Sequence, residues 1–146
     1  MRAVLEVLPQ VPTKQEIDDI LVPLRQYNRP FTQQYPSRND IGIVLRHPES
    51  GKILGGLFAT DEFNWLFVKY LAVSHELRGA GCGTALMNEA ERVARDRGYI
   101  GIFLDTFDFQ TRPFYEKLGY KLFGELEGGE DGPRRFFLKK RFEVKN

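Results

Sequence analysis

Apolar and polar positions change period several times along the chain. Residues 3–8, "AVLEVL", a short run apolar but for Glu6, read as a first strand. Thr13 opens T-K-Q-E, a capping box completed by Glu16, and Ile17, Ile20, Leu21 and Leu24 follow at helical spacing. Together they predict a helix to about Gln26. The stretch "YNRPFTQQYPSRND" is dense in turn formers and reads as a loop. "IGIVLRH", "PESGK" and "ILGGLFAT" read as a strand, a hairpin turn and a returning strand. "WLFVKYLAV" is nearly continuous in apolar residues, the pattern of a strand covered on both faces.

Past the glycine-rich stretch "RGAGCGTAL", Ala85, Leu86, Ala90, Val93 and Ala94 form the apolar stripe of an amphipathic helix. Gly98, behind Arg95 and Arg97, stops it. "YIGIFLDT" is a further strand. A short helix starts near Thr111, with Pro113 in its first turn, where a missing N–H costs no backbone bond, and it ends at Gly119. "YKLFGEL" and "RRFFLKKRF" close the chain as two strands joined by the polar loop "EGGEDGP". The predicted order is β-α-β-β-β-α-β-α-β-β.

Composition narrows the classes. The 146 residues suit one domain, and 42% hydrophobic with 28% charged residues allows a packed core. A formal net charge of +1 argues against a dedicated nucleic-acid binder. The single cysteine, Cys82, excludes an internal disulfide and points to a reducing cytoplasm. The start "MRAVLEVLPQ" is too short and polar for a signal peptide, and no apolar run has the ~20 residues that span a bilayer, so no membrane partner is expected.

The chemistry concentrates at Gly79, Gly81 and Gly83, where an apolar strand hands over to a helix. Glycines there let backbone amides approach an anion closely. Two familiar phosphate loops do not fit. After Gly83 come Thr84 and Ala85, with no P-loop lysine. Counted from Gly79, the third glycine of a dinucleotide fingerprint would fall on Thr84.

Arg78-x-x-Gly81-x-Gly83 instead resembles the acyl-CoA-binding motif of the GNAT superfamily of N-acetyltransferases, Q/R-x-x-G-x-G/A. "FYEKLGYKLFG", residues 114–124, resembles the family's segment Y-x-K-x-G-F/Y, and the order of elements is similar from roughly Val4 to Phe142. The resemblance implies a GNAT-type α/β (α+β) fold over residues 1–146 as one domain, with a mixed, mostly antiparallel sheet of about seven strands flanked by helices.

It also implies acetyl-CoA as cosubstrate and no metal. The loop Arg78, Gly79, Ala80, Gly81, Cys82, Gly83 and Thr84 would turn its amides to the pyrophosphate at the positive end of the following helix. Pantetheine would lie beside Leu71, Ala72 and Val73 like an added strand. Cys82 is read as a small loop residue, since the family transfers the acetyl group directly to the amine. Tyr115 matches the family's general acid; a phenol of ordinary pKa ~10 stays protonated at neutral pH. Gln110 stands where many relatives carry a pantetheine-binding asparagine. Many relatives place a carboxylate base on the strand before the glycine loop, whereas this strand carries Lys69 and no acid. Glu76, His75, Asp105, Asp108 or water are the alternatives.

The acceptor site is expected from the first helix, the loop after it and the "TDEFNW" hairpin, with Tyr27, Asn28, Phe31, Asp61, Glu62 and Trp65 as lining residues. A small-molecule amine is expected, a polyamine or amino-sugar antibiotic, and a homodimer is compatible with the chain. The competing readings are a silent acyl-CoA-binding regulatory module, a protein N-acetyltransferase, or an enzyme for another acyl chain.

Overall fold

A computed structural model describes residues 1–144; the last two residues of the expected 1–146 domain lie outside the described residues. The chain divides into two compact units, residues 1–36 and the chain from Ser37 onward.

The first unit holds α1 (Lys14–Thr32). The capping box forms as expected: Glu16 N–H donates to the Thr13 hydroxyl, and Thr13 N–H donates to the Glu16 carboxylate. The helix runs six residues past the expected end at Gln26 and contains Pro23 and Pro30. Residues 27–32 were expected in a loop because of their turn formers; Thr32 instead returns a side-chain bond to the Asn28 carbonyl within the last turn. The expected strand at residues 3–8 does not form. An apolar run makes a strand only where another edge supplies hydrogen bonds, and no described strand pairs with this segment.

The second unit is built on one six-stranded sheet in place of the expected seven strands. Its strands are β1 (Ile41–Arg46), β2 (Ile53–Glu62), β3 (Trp65–Val73), β4 (Gly101–Phe107), β5 (Lys121–Leu126) and β6 (Arg135–Arg141), in the spatial order β1-β2-β3-β4-β6-β5. Every pairing is antiparallel except β3 with β4. α2 (Cys82–Asp96) follows β3 through a short 3₁₀ turn at His75–Leu77, and α3 (Arg112–Lys117) follows β4.

Alternate residues of the strands face the core. Leu66, Ile102, Leu104 and Leu138 are fully buried together with Met87 of α2. Each such burial is worth about 1.5–3 kcal/mol relative to exposure. Leu66 and Leu104 pin β3 to β4 over one stretch only, Trp65↔Gly101 through Val68↔Leu104. Beyond it the two strands part. The cause lies on the other edge of β3, where Val68 pairs with Ala59 but Tyr70 pairs with Phe58. Lys69 is therefore the extra residue of a β-bulge, which bends a strand and increases its twist. The core-facing phase shifts with it: Leu66 and Val68 are buried before the bulge, and Leu71 and Val73 pack on the core after it. Lys69 and Tyr70 are left exposed, so β3 is not covered on both faces as its composition suggests.

Among the described residues no helix is long and apolar enough to cross a membrane.

Candidate active site

The parting of β3 and β4 opens a cleft of about 1040 Å³. One wall is β3 from Val68 to Val73, the mouth is the segment Leu77–Thr84, and the other wall comes from β4 and the start of α3, from Leu104 to Tyr115. Of the residues singled out in the sequence, Leu71, Ala72, Val73, Arg78, Gly79, Gly81, Cys82, Gly83, Thr84, Gln110 and Tyr115 line this space. Ala80 does not.

The glycine loop has the geometry of an anion site. Gly81 is the N-cap of α2 with φ 76°, and no side chain caps the helix or puts an acid in its first turn. The first intrahelical bond is Ala85 N–H to the Gly81 carbonyl. The N–H groups of Cys82, Gly83 and Thr84 therefore have no partner within the helix. Gly79 also has positive φ, and the space a Cβ would occupy at Gly79 and Gly81 is open. Both positions need glycine for their backbone as well as for access. At Gly83 a Cβ would stand 3.3 Å from the Phe114 ring, so this glycine also lets α3 pack against α2.

The strand edge is equally specific. Ser74 N–H donates to the Leu54 carbonyl on the β2 side, and the Ala72 carbonyl lies so close to Gly55 that a Cβ there would clash with it. Since strand residues alternate, the backbone groups of Ala72 face β2, while those of Leu71 and Val73 face the opening. Of the three positions expected to pair with pantetheine, Ala72 thus contributes only its side chain. An unpaired strand edge, an uncapped helix start and a cleft of this volume fit a long ligand with an amide-bearing arm and a phosphorylated end.

Tyr115 sits on α3 where Phe114 and Tyr120 meet its ring edge-on, at 5.0 and 6.2 Å between centroids. Burial first, then the negative charge of Asp105, raises its phenol above the ordinary value. It remains a proton donor at neutral pH. Its helix is anchored at the far end. Lys140 Nζ donates to the Leu118 carbonyl (2.8 Å) and to Glu91 Oε1 (2.7 Å), and the Tyr120 hydroxyl donates to Glu91 Oε2 (3.1 Å). Glu91 is almost fully buried on α2, so the pair ties the helix of the glycine loop to the helix of Tyr115. Lys140→Met would strand that buried carboxylate. A loss of about 3–5 kcal/mol in the denaturation midpoint analysis is expected, as for one partner removed from a buried pair. A loss below 1 kcal/mol would mean that Arg95, 3.6 Å from Glu91, and the Tyr120 hydroxyl suffice to hold the carboxylate.

Gln110 is already engaged: its side-chain oxygen accepts from Phe107 N–H (2.8 Å) and the Thr106 hydroxyl (3.1 Å). Its NH₂ group is what it can offer a ligand. The expected acceptor residues of the hairpin are also engaged. Asp61 accepts from the Tyr99 hydroxyl (2.7 Å) and from Arg38 N–H, Glu62 accepts from Thr60, and Trp65 packs edge-on against Phe103. None of the three lines the cleft. Tyr27, Asn28 and Phe31 lie on α1, in the first unit. Of the candidate bases, only Asp105 lines the cleft; His75 and Glu76 are in the 3₁₀ turn, and Asp108 accepts from Arg134 N–H.

The sequence reading missed the bulge at Lys69 and the grip on Asp105. Arg135 holds that carboxylate with Nε and Nη2, each at 3.0 Å. The only sequence-level signal was the lysine itself, a charge inside an apolar strand. Among the described residues no group of three or more His, Cys, Asp or Glu is placed to hold a metal.

A sheet that forks beside an uncapped, glycine-led helix and a half-buried tyrosine defines an acyl-CoA-type transferase fold. The profile of the acetyltransferase (GNAT) family matches residues 13–120, and the chain belongs to that family. It is an acetyl-CoA-dependent N-acetyltransferase. An acetyltransferase of Agrobacterium fabrum is 32% identical over 105 residues, 72% of this chain and 76% of that protein. The blasticidin-S acetyltransferase of Streptomyces morookaense is 43% identical over 75 residues, 51% of this chain and 55% of that enzyme, so the match spans about half of its length. The crystal structure of a Bacillus cereus acetyltransferase superposes with a TM-score of 0.78 at 32% identity, covering 93% of this chain and 98% of that one.

Proposed function

We propose that the cleft binds acetyl-CoA and that the chain, acting as one GNAT domain, acetylates the primary amine of a small molecule with Tyr115 as general acid. The observation that carries this reading is the meeting, in one cleft, of the unpaired edge of β3, the start of α2 with its N–H groups unpartnered within the helix, and Tyr115. A small-molecule acceptor is favoured by the blasticidin-S acetyltransferase among the relatives. The lone cysteine suits work in a reducing cytoplasm.

Each part has a physical task. The N–H groups of Cys82, Gly83 and Thr84 hold the pyrophosphate, and the charge of Arg78 adds to them. Leu71 and Val73 pair with the pantetheine amides, which fixes the depth to which the ligand enters. Bound acetyl-CoA supplies a thioester carbon that a neutral amine attacks directly. As the C–N bond forms and the C–S bond breaks, the nitrogen's surplus proton leaves to solvent water; Tyr115, whose raised pKa keeps its proton in place across the neutral range, gives that proton to the departing sulfur and regains one from solvent.

Thermal unfolding tests the binding step. Acetyl-CoA at 100 times its Kd should add about 2.7 kcal/mol of stability by mass action, seen as a rise in Tm. No shift at near-millimolar acetyl-CoA, together with no heat in calorimetry, would refute the assignment of the cleft.

A further inference from the structure

The acceptor end of the cleft carries an unusual charge arrangement. Val68↔Leu104 is the last pair before β3 and β4 part, so the next residues along the two strands, Lys69 and Asp105, flank the fork. Both lie on the face away from the core: the bulge turns Lys69 out, and Asp105 stands between the buried Leu104 and Thr106. Asp105 is the only carboxylate among the residues that line the cleft. Lys69 lines it too and forms no ion pair with another described residue; its ammonium rests 5.6 Å from the Tyr70 ring centre.

These charges have distinct tasks. Arg135 and Asp105 answer each other through two bonds, which leaves Asp105 about two of a carboxylate's four lone-pair sites to accept N–H bonds from an amine. Lys69 lies four residues before Val73, about 13 Å along β3 from the strand end that leads to the glycine loop, too far to share the pyrophosphate with Arg78. Its charge is left for an anion at the reacting end. Paired strands sit about 4.8 Å apart and these two diverge from there, so the heads of Lys69 and Asp105 reach groups only a few bonds apart in one small molecule.

We infer that the acceptor is an amine that also bears an anionic group, a carboxylate or a phosphate, with Asp105 receiving the amine and Lys69 the anion. This rests on the reading of the cleft as the acetyl-transfer site. It turns the acceptor away from polyamines, since the acids Asp61 and Glu62 that suited a polycation do not line the cleft.

The test compares four probes in a thiol-release assay: 4-aminobutyrate (carboxylate), O-phosphoethanolamine (phosphate), n-butylamine (neutral) and 1,4-diaminobutane (cationic). In the wild type, kcat/KM should be highest for one or both anionic probes and lowest for the diamine; the better of the two identifies the anion. In Lys69→Met, the ratio of kcat/KM for that probe over n-butylamine should fall about tenfold or more, the lower end of what a charge-assisted bond is worth. Lys69→Glu should reverse the order in favour of the diamine. Asp105→Asn should lower kcat/KM for every amine and keep the ratio. Acetyl-CoA calorimetry on each protein confirms a folded cleft. A wild type that prefers the diamine, a ratio untouched by either Lys69 substitution, or a wild type that binds acetyl-CoA and acetylates none of the four overturns the inference. A wild type that does not bind acetyl-CoA overturns the underlying reading instead.

Discussion

Tyr115→Phe is expected to lower turnover by about 10²-fold or more, the low end of general-acid contributions, while acetyl-CoA affinity stays within a few-fold. The substitution keeps a ring that packs between Phe114 and Tyr120 and removes only the hydroxyl. That hydroxyl makes no hydrogen bond to another described residue, so its loss strands no partner, and the fold should hold. If the ring merely packed, neither rate nor binding would move. The loss should fall on kcat, as for an interaction strongest in the transition state. The sign of the pH dependence follows from the raised phenol. The protonated form donates, so the rate that depends on it persists past the ordinary tyrosine value and falls only above it. In Tyr115→Phe that limb should disappear. In Asp105→Asn it should move to lower pH, because one of the two causes of the shift is gone. Single-turnover rates against pH with an accepted amine decide the matter. Wild-type chemistry in the Phe variant would remove Tyr115 from the reaction.

Gly81→Val should have the second large effect, on binding. Its branches would enter the open space beside the free amides of α2 and hold the phosphates away. Losing two charge-assisted bonds, each worth about 1.5–3 kcal/mol, predicts at least a 10²-fold rise in Kd for acetyl-CoA. The backbone adds a separate cost. At φ 76° a side chain is strained, by about 1–2 kcal/mol of stability. Gly81→Asn separates the two, since asparagine tolerates this conformation but still places a Cβ at the loop. Weak binding in both variants, with stability lost mainly in the valine one, supports the amide site. Wild-type affinity in a folded Gly81→Val protein would place the phosphates elsewhere.

How much of this was legible in the sequence depends on range. Local signals worked. The capping box at Thr13, the stop at Gly98 and the proline in the first turn of α3 all form as their residue types dictate. The glycine loop and Tyr115 could be placed because their neighbours in sequence are also their neighbours in space. Pairing was not legible. Residues 3–8 have the apolar composition of a strand but no edge to join, and the bulge at Lys69 is a mismatch of register between two strands that neither strand shows alone. The fork follows from that bulge, so the sequence could name Leu71, Ala72 and Val73 but not tell which of them face the opening. The partners of the expected acceptor residues are equally distant in sequence: Asp61 accepts from Tyr99, 38 positions away. Asp105 and Arg135, 30 apart, meet only because β6 returns beside β4.

The central claim is that acetyl-CoA lies along the open edge of β3 with its phosphates at the start of α2. Backbone hydrogen exchange, measured residue by residue with and without acetyl-CoA, tests it most directly. Slower exchange is expected at Leu71 and Val73, whose N–H groups face the cleft, and at Cys82, Gly83 and Thr84, with Ala72 unchanged because its N–H already faces β2. Acetyl-CoA that binds by calorimetry yet leaves these five amides exchanging as before would contradict the account.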